Sequence, residues 1–219
     1  MKKLIIIGTG EFSREIYNYI VISKNKKNIF FKGFLDYTPK SLKNFNLEKL
    51  YLGNEDEYEF SKFDYILIAI ADPIKRKKIF LKVKNKKNVK FFNYIHETTI
   101  INNNVVELGE GNIFGPNCVL THNINFGNFN IFNTMVSVGH DAKIGSFNTF
   151  SSHCDITGNV NIGNANFFGS RVSILPGAGI GNYNKVSAGS VVYKKLISTK
   201  KFKDKGIFHG NPAKRIGDN

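Results

Sequence analysis

The most constraining feature of this sequence is a period of six residues that runs through its C-terminal half. Beginning at Leu108, every sixth residue is a large apolar one, and the pattern holds for fifteen steps. Eight of the fifteen residues that directly follow these positions are glycine. The apolar positions are Leu108, Phe114, Leu120, Phe126, Phe132, Val138, Ile144, Phe150, Ile156, Ile162, Phe168, Ile174, Ile180, Val186 and Val192.

A period of six predicts a parallel β-helix, because it matches neither the 3.6-residue period of an α-helix nor the two-residue period of an amphipathic strand. Each short strand would point one apolar side chain inward, and glycine or asparagine would accept the unusual φ of the turn that follows. Three strands make one triangular coil, so fifteen hexads predict five coils. The coils must stack, since a single coil leaves its apolar face uncovered.

The same phase places the two cysteines. Cys118 and Cys154 occupy equivalent slots two coils apart, and a coil spacing near that of paired strands separates them by about 10 Å. That separation is too large for a disulfide. We therefore expect two small buried side chains.

Residues 1–97 have a different pattern, in which strands alternate with helices, and they predict a small Rossmann-like α/β domain with a parallel sheet. Residues 98–219 would then form the β-helix and a C-terminal tail. The elements predicted in the first domain are a strand at Lys3–Gly8, a helix at Arg14–Ile22, strands at Phe30–Leu35 and Asp64–Ala71, a helix at Ile74–Val83 and a last strand at Lys90–Ile95.

The first strand is followed by a Gly-Thr-Gly turn that includes Gly10, and the second strand ends at Asp36. Such a turn could direct N–H groups at a phosphate, and Asp36 could accept hydrogen bonds from a ribose or a base. The third glycine of the dinucleotide fingerprint is absent. On the sequence alone, a nucleotide site and a simple tight turn without a ligand both remain open.

The net charge of +14 is unevenly distributed. Residues 1–97 hold 20 Lys and Arg against 11 Asp and Glu, whereas residues 108–192 hold three of each. This distribution favours solvated lysine faces over a nucleic-acid-binding surface, and it is compatible with a smaller anionic partner such as a nucleotide or coenzyme A. No apolar run is long enough to span a bilayer, so we expect no membrane insertion and a cytoplasmic location.

Three of the five histidines lie inside the repeat. His122 and His140 are 18 residues apart and should stack on one edge of adjacent coils, whereas His153 has a different phase. Asp141 follows His140, and a carboxylate beside an imidazole can fix its tautomer for general-base catalysis. An ordinary surface turn explains the pair equally well. No third histidine has the spacing of a zinc site, so no metal is expected.

The ordered set of motifs resembles the NeuD/PglD-like family of bacterial sugar acetyltransferases. The match extends over nearly the whole chain and includes the N-terminal strand–GxG–helix. Its main segments are Val138-Gly139-His140-Asp141, Gly158 to Gly163, Phe168-Gly169, Ile174 to Gly177, Ala188 to Val192 and Gly210-Asn211-Pro212-Ala213-Lys214.

This resemblance implies a left-handed β-helix, a homotrimer, and acetyl-coenzyme A (acetyl-CoA) bound between neighbouring helices. It implies that His140 is the catalytic base, that Asp141 orients it, and that the acceptor attacks the thioester directly. By the same resemblance, Gly158, Ser170 and Ala188 line the acetyl-CoA channel, while Gly10 and Asp36 lie near the nucleotide of the acceptor. The basic segment Lys194–Lys205 is a candidate for holding the 3′-phosphate of the coenzyme.

The chain departs from the family at two points. Thr149 stands where many relatives have a second histidine, and Glu11-Phe12 replace a frequent Gly-His pair. The expected activity is N-acetylation of a nucleotide-linked amino sugar in surface-glycan synthesis. O-acetylation of sialic acid or a related sugar is the alternative within this class, and a non-catalytic β-helical scaffold is the alternative of another class.

Overall fold

The computed structural model describes residues 1–23, 29–101, 106–193 and 204–219. The chain divides into two compact units, Met1–Glu97 and Thr98–Asn219. The first unit is an α/β domain and the second is a parallel β-solenoid. The fold class predicted from the sequence is therefore confirmed.

The first unit contains a three-stranded parallel sheet of order β2-β1-β3. Its central strand carries Leu4, Ile5, Ile6 and Ile7, all at most 1% exposed, because a strand covered on both faces buries successive residues. The elements are β1 (Lys2–Ile7), α1 (Glu11–Ile22), β2 (Ile29–Leu35), α2 (Lys40–Lys43), a 3-10 helix (Glu48–Leu50), β3 (Asp64–Ile68), α3 (Pro73–Val83) and β4 (Tyr94–Ile95).

The predicted last strand, Lys90–Ile95, is mostly wrong. The segment makes one bridge to β3, in which the Phe92 N–H donates to the carbonyl oxygen of Ile66 at 2.9 Å and the Ile66 N–H donates to that of Lys90 at 2.8 Å. Only β4 is regular beyond this bridge. The sequence pattern also missed α2 and the 3-10 helix, because segments this short have no measurable period.

The solenoid contains fifteen short strands in five coils, β5 to β19, and each strand ends on one of the fifteen predicted apolar positions. Fourteen of these positions are buried and Leu108 is half-buried. The strands are β5 (Val106–Leu108), β6 (Ile113–Phe114), β7 (Val119–Leu120), β8 (Ile124–Phe126), β9 (Ile131–Phe132), β10 (Ser137–Val138), β11 (Lys143–Ile144), β12 (Thr149–Phe150), β13 (Asp155–Ile156), β14 (Asn161–Ile162), β15 (Phe167–Phe168), β16 (Ser173–Ile174), β17 (Gly179–Ile180), β18 (Lys185–Val186) and β19 (Val191–Val192).

The strands form three faces. The first sheet has the order β17-β14-β11-β8-β5, and the second sheet has the order β19-β16-β13-β10-β7. The third sheet contains β18, β15, β12, β9 and β6, and it is extended by β20 (Gly206–His209) and β21 (Lys214–Asp218). Equivalent residues of adjacent coils pair in register, as Ser137 does with Asp155 and Val138 with Ile156.

Two ladders of side chains fill the interior. Phe114, Phe132, Phe150 and Phe168 stack with ring centroids 4.6 to 4.8 Å apart, which is the coil repeat. Buried asparagines at one turn bond to each other from coil to coil, and the side-chain amides of Asn130, Asn148 and Asn166 also donate to a glycine carbonyl oxygen of the next coil. These ladders fix the coils vertically, so side chains at equivalent turn positions lie directly above one another.

Candidate active site

One edge of the solenoid, where the second sheet turns into the first, brings the predicted catalytic residues together. We call the residue pairs 122–123, 140–141 and 158–159, which occupy successive coils at this edge, the histidine corner. Its second residues, Asn123, Asp141 and Asn159, all have left-handed backbone conformation, with φ of 55°, 60° and 59°. Asparagine and aspartate tolerate this conformation better than other residues with a Cβ, which explains their recurrence.

His140 and Asp141 are hydrogen-bonded to each other although they are adjacent in sequence. His140 Nδ1 lies 2.6 Å from Asp141 Oδ2. The hydrogen bond with His140, followed by that from Asn123, holds the pKa of the Asp141 carboxyl below its usual value. The His140 side chain is 51% exposed and that of Asp141 is 38% exposed. The ionised carboxylate therefore holds the imidazole through Nδ1, while about half of the His140 side chain remains exposed.

The predicted stacking of His122 and His140 is confirmed. Their ring centroids are 5.6 Å apart and their planes differ by 15°. The Asp141 N–H donates to the His122 carbonyl oxygen at 3.2 Å. His122 thus contacts the predicted catalytic pair from the preceding coil.

Gly158 lies on the other side of His140. A Cβ at this residue would stand 2.7 Å from His140 Nε2 and 2.8 Å from Cε1, which no side chain could accept without displacing the ring. The carbonyl oxygen of His140 accepts the N–H of Asn159 at 2.8 Å. Glycine at position 158 therefore leaves the space that the imidazole occupies.

Ser170 and Ala188, the other predicted acetyl-CoA residues, lie at a different edge, where the third sheet turns into the second. The carbonyl oxygen of Ser170 accepts the N–H of Gly189 from the next coil at 2.9 Å. A Cβ at Gly169 would stand 2.5 Å from the Ala188 nitrogen, so the two coils approach closely here. Within one chain, the second sheet separates this edge from the histidine corner.

Two further predicted positions lie on the third sheet and at its edge. Thr149, which replaces a second histidine, is buried at 3% exposure on β12. His153 is an exposed turn residue with a φ of 62°, and its N–H donates to the Thr134 carbonyl oxygen at 3.0 Å. Neither residue belongs to the histidine corner.

In the first unit, the predicted nucleotide residues meet through Thr9. Asp36 Oδ2 accepts hydrogen bonds from the Thr9 N–H at 2.9 Å and from the Thr9 hydroxyl at 2.7 Å. Gly10 is the N-cap of α1, and a Cβ added there would meet nothing within 4 Å. Arg14 donates to the Thr9 carbonyl oxygen at 2.9 Å. Asp36 and Arg14 therefore fix the turn that precedes the helix N-terminus.

The two cysteines are free and buried, as predicted. Burial raises the pKa of the Cys118 thiol to about 11 and that of Cys154 to about 12. Both thiols are therefore protonated near neutral pH, and neither can act as an exposed nucleophile.

Within residues 1–23, 29–101, 106–193 and 204–219, no three His, Cys, Asp or Glu side chains are placed to hold a metal ion. The same four ranges contain no helix that is long and apolar enough to cross a membrane. Of the basic segment Lys194–Lys205, residues 194–203 lie outside the described residues.

The sequence interpretation missed Asn123, whose side-chain amide donates a hydrogen bond to Asp141 Oδ1. A signal for it was present, because Asn123 precedes Asp141 by 18 residues and therefore occupies the same slot one coil earlier. The hydrogen bond between Asn123 and Asp141 depends on the rotamers of both side chains, which the six-residue period does not determine.

Residues 3–83 match the family described as the PglD N-terminal domain. A comparison with curated proteins finds no significant match.

Several solved structures share the whole fold. Perosamine N-acetyltransferase from Caulobacter crescentus, solved with CoA and GDP-perosamine, superposes with a TM-score of 0.81 at 22% identity and covers 100% of this chain and 98% of its own. The acetyltransferase domain of PglB from Neisseria gonorrhoeae gives 0.84 at 22% identity, with coverage of 99% and 100%. WeeI from Acinetobacter baumannii gives 0.79 at 23% identity, with coverage of 99% and 100%. At this identity the likeness establishes a shared fold.

Proposed function

We propose that this chain, whose residues 3–83 match the PglD N-terminal domain family, transfers an acetyl group from acetyl-CoA to the amine of a nucleotide-linked sugar. The observation that carries the proposal is the His140–Asp141 pair, which is held at 2.6 Å on the solenoid with the His140 side chain half exposed. It is also supported by relatives of the same fold that were solved with CoA and GDP-perosamine or with acetyl-CoA.

The chemistry assigned to this pair is general-base catalysis. Asp141 keeps the proton of the neutral imidazole on Nδ1, so Nε2 accepts a proton from the acceptor amine as the nitrogen attacks the thioester carbonyl carbon. A C–N bond forms and the C–S bond breaks, and the departing CoA thiolate takes the proton from His140 Nε2 and leaves as the thiol. The buried, protonated state of both cysteines favours direct attack over an acyl-enzyme.

The tetrahedral intermediate of this reaction needs a hydrogen-bond donor for its oxyanion. Among the described residues, no partner accepts the N–H of Gly158, although this residue contacts the base. We assign the stabilisation of the oxyanion to this N–H. The absence of a side chain at position 158 would then have two roles. It leaves room for the His140 ring, and it allows the thioester to approach the backbone N–H.

The coenzyme site is proposed to need two chains. The histidine corner and the edge of Ser170 and Ala188 flank opposite sides of the second sheet, so one chain does not bring them together. In a homotrimer, the histidine corner of each chain would face the edge of Ser170 and Ala188 of its neighbour. Acetyl-CoA would lie along Ser170 and Ala188 and present its thioester to His140 and Gly158.

The acceptor is proposed to bind through its nucleotide to the first unit. The N-terminus of α1 at Gly10 offers free N–H groups to a phosphate, and Asp36 fixes the preceding turn. We propose in addition that the enzyme acts in surface-glycan synthesis. A cytoplasmic location is part of the same proposal, since acetyl-CoA and nucleotide sugars are the substrates.

The test is an acetyl-transfer assay with UDP-, dTDP- and GDP-linked amino sugars and with free sialic acid. We expect transfer to one nucleotide-linked amine, and we expect His140→Ala to reduce kcat by about 10²- to 10⁴-fold while CoA binding by calorimetry is retained. Glu110→Ala is the control, because it removes an exposed side chain at the edge where the first sheet turns into the third, away from His140 and from Ser170 and Ala188. Unchanged transfer by the His140→Ala variant would contradict the mechanism. Transfer by the unaltered protein to sialic acid alone would indicate O-acetylation. If the unaltered protein does not bind CoA, it is a non-catalytic scaffold.

A further inference from the structure

The coil that precedes the catalytic pair contacts it at three points. The side-chain amide of Asn123 donates to Asp141 Oδ1, and the His122 carbonyl oxygen accepts the Asp141 N–H at 3.2 Å. The His122 ring stacks on that of His140 at 5.6 Å. One dipeptide therefore supports the catalytic dipeptide from the slot directly beneath it.

The link from Asn123 matters because Asp141 is on the surface. Its side chain is 38% exposed, so water competes for the carboxylate. Oδ2 is bonded to His140 Nδ1, and Oδ1 is bonded to the amide of Asn123. With a partner on each oxygen, the carboxylate cannot rotate without losing a hydrogen bond.

We propose that Asn123 is a positioning residue for His140 and acts through Asp141. Its amide fixes the carboxylate plane, the carboxylate holds the proton on Nδ1, and the lone pair of Nε2 stays directed at the acceptor. The kinetic consequence rests on the proposed function. The alternative is a purely conformational role, in which asparagine stands at position 123 only because the backbone φ of 55° favours this residue.

Two substitutions separate these roles. Asn123→Gly keeps the freedom to adopt a positive φ but removes the amide. Asn123→Asp keeps the shape and the turn preference but replaces the donor with an acceptor and sets a second negative charge against Asp141. Asn117→Gly is the matched control, because Asn117 has a φ of 58° at a different edge of the solenoid.

The first measurement does not depend on activity. The hydrogen bonds from His140 and then from Asn123 lower the pKa of Asp141, and both rings that face it, His122 and His140, add to this effect. Carboxyl-carbon NMR should therefore show the pKa of Asp141 rising toward its ordinary value in Asn123→Gly and rising further in Asn123→Asp. Nitrogen NMR of the His140 ring should show a loss of the Nδ1-protonated tautomer. Asn117→Gly should change neither signal.

The second measurement is kinetic. In Asn123→Gly we expect kcat to fall about tenfold, the effect of one hydrogen bond to a charged group, with KM for both substrates unchanged. An unchanged Asp141 titration, an unchanged His140 tautomer or an unchanged kcat in this variant would each overturn the proposal. If the unaltered protein transfers acetyl to no acceptor, the proposed function fails, while the NMR result still decides whether Asn123 positions the pair.

Discussion

His140 Nε2 occupies the space beside Gly158 so closely that a Cβ on that glycine would lie 2.7 Å away. The imidazole is thus confined from both sides, by the His122 ring beneath it and by the glycine backbone above it. The orientation of the proposed base is consequently set by three successive coils rather than by its own backbone.

The first prediction concerns this contact. Gly158→Ala should displace the His140 ring and reduce kcat by roughly 100-fold, the cost of misplacing a catalytic group by about 1 Å. It should also lower the free energy of unfolding by about 1–3 kcal/mol through overpacking.

A double-mutant cycle checks the cause. In the His140→Ala background the added methyl has no ring to displace, so most of the stability loss from Gly158→Ala should disappear in denaturant unfolding. If Gly158→Ala lowers the free energy of unfolding equally in both backgrounds, the added methyl group clashes with atoms other than the His140 ring.

The second prediction concerns the buried asparagine ladder. The Asn148 side chain donates to Asn130 Oδ1 at 3.1 Å and to the Gly163 carbonyl oxygen at 2.8 Å, and its Oδ1 accepts from the side chain and backbone of Asn166 at 3.0 Å. Asn148→Ala leaves buried donors unsatisfied and should lower the free energy of unfolding by about 3 kcal/mol. Asn161→Ala, at an exposed position of β14, should change it by less than about 0.5 kcal/mol. Similar losses in the two variants, measured by urea unfolding, would contradict a specific role of the ladder.

The third prediction is a pH dependence of stability in the first unit. Burial raises the pKa of the Asp64 carboxyl, but hydrogen bonds from Ser61 and from Lys32, whose Nζ lies 3.0 Å away, outweigh burial and leave the pKa lowered. A lowered folded-state pKa stabilises the protein above the unfolded value of about 3.9, and this stability is lost as the pH falls through the folded value.

Asp64→Asn should therefore destabilise the protein at pH 7, and the difference from the unaltered chain should shrink below about pH 4. Denaturant unfolding at a series of pH values measures it. Glu59→Gln, at an exposed position of the same unit, serves as the control and should have no effect. A difference that persists undiminished at pH 3 would show that the charge of Asp64 is not its cause.

The fourth prediction concerns the acceptor. Asp36→Ala removes the two hydrogen bonds that hold Thr9, which frees the turn before α1. We expect KM for the nucleotide sugar to rise about tenfold, with KM for acetyl-CoA unchanged. Glu48→Ala, on the exposed 3-10 helix, is the control. An equal rise in the KM values for the nucleotide sugar and for acetyl-CoA would show that Asp36 has no specific role in acceptor binding.

The sequence alone determined the architecture of the solenoid and the register of its coils. The reason is that burial of one apolar residue per strand is a one-dimensional pattern, so a phase read from Leu108 onward locates all fifteen strands. The phase also placed His122 on His140 and kept Cys118 apart from Cys154. In residues 1–97, where no such period exists, the prediction of a strand at Lys90–Ile95 was mostly wrong, because a single bridge to β3 replaces a regular strand.

Only the tertiary structure decided how the site is held. The link from Asn123 to Asp141, the close approach of Gly158 to His140 and the tie between Asp36 and Thr9 all join residues from separate turns or strands. Such contacts depend on side-chain rotamers and on left-handed backbone at the corners, which vary without altering the six-residue period. The period therefore fixed which residues stack, and the three-dimensional packing fixed which atoms bond.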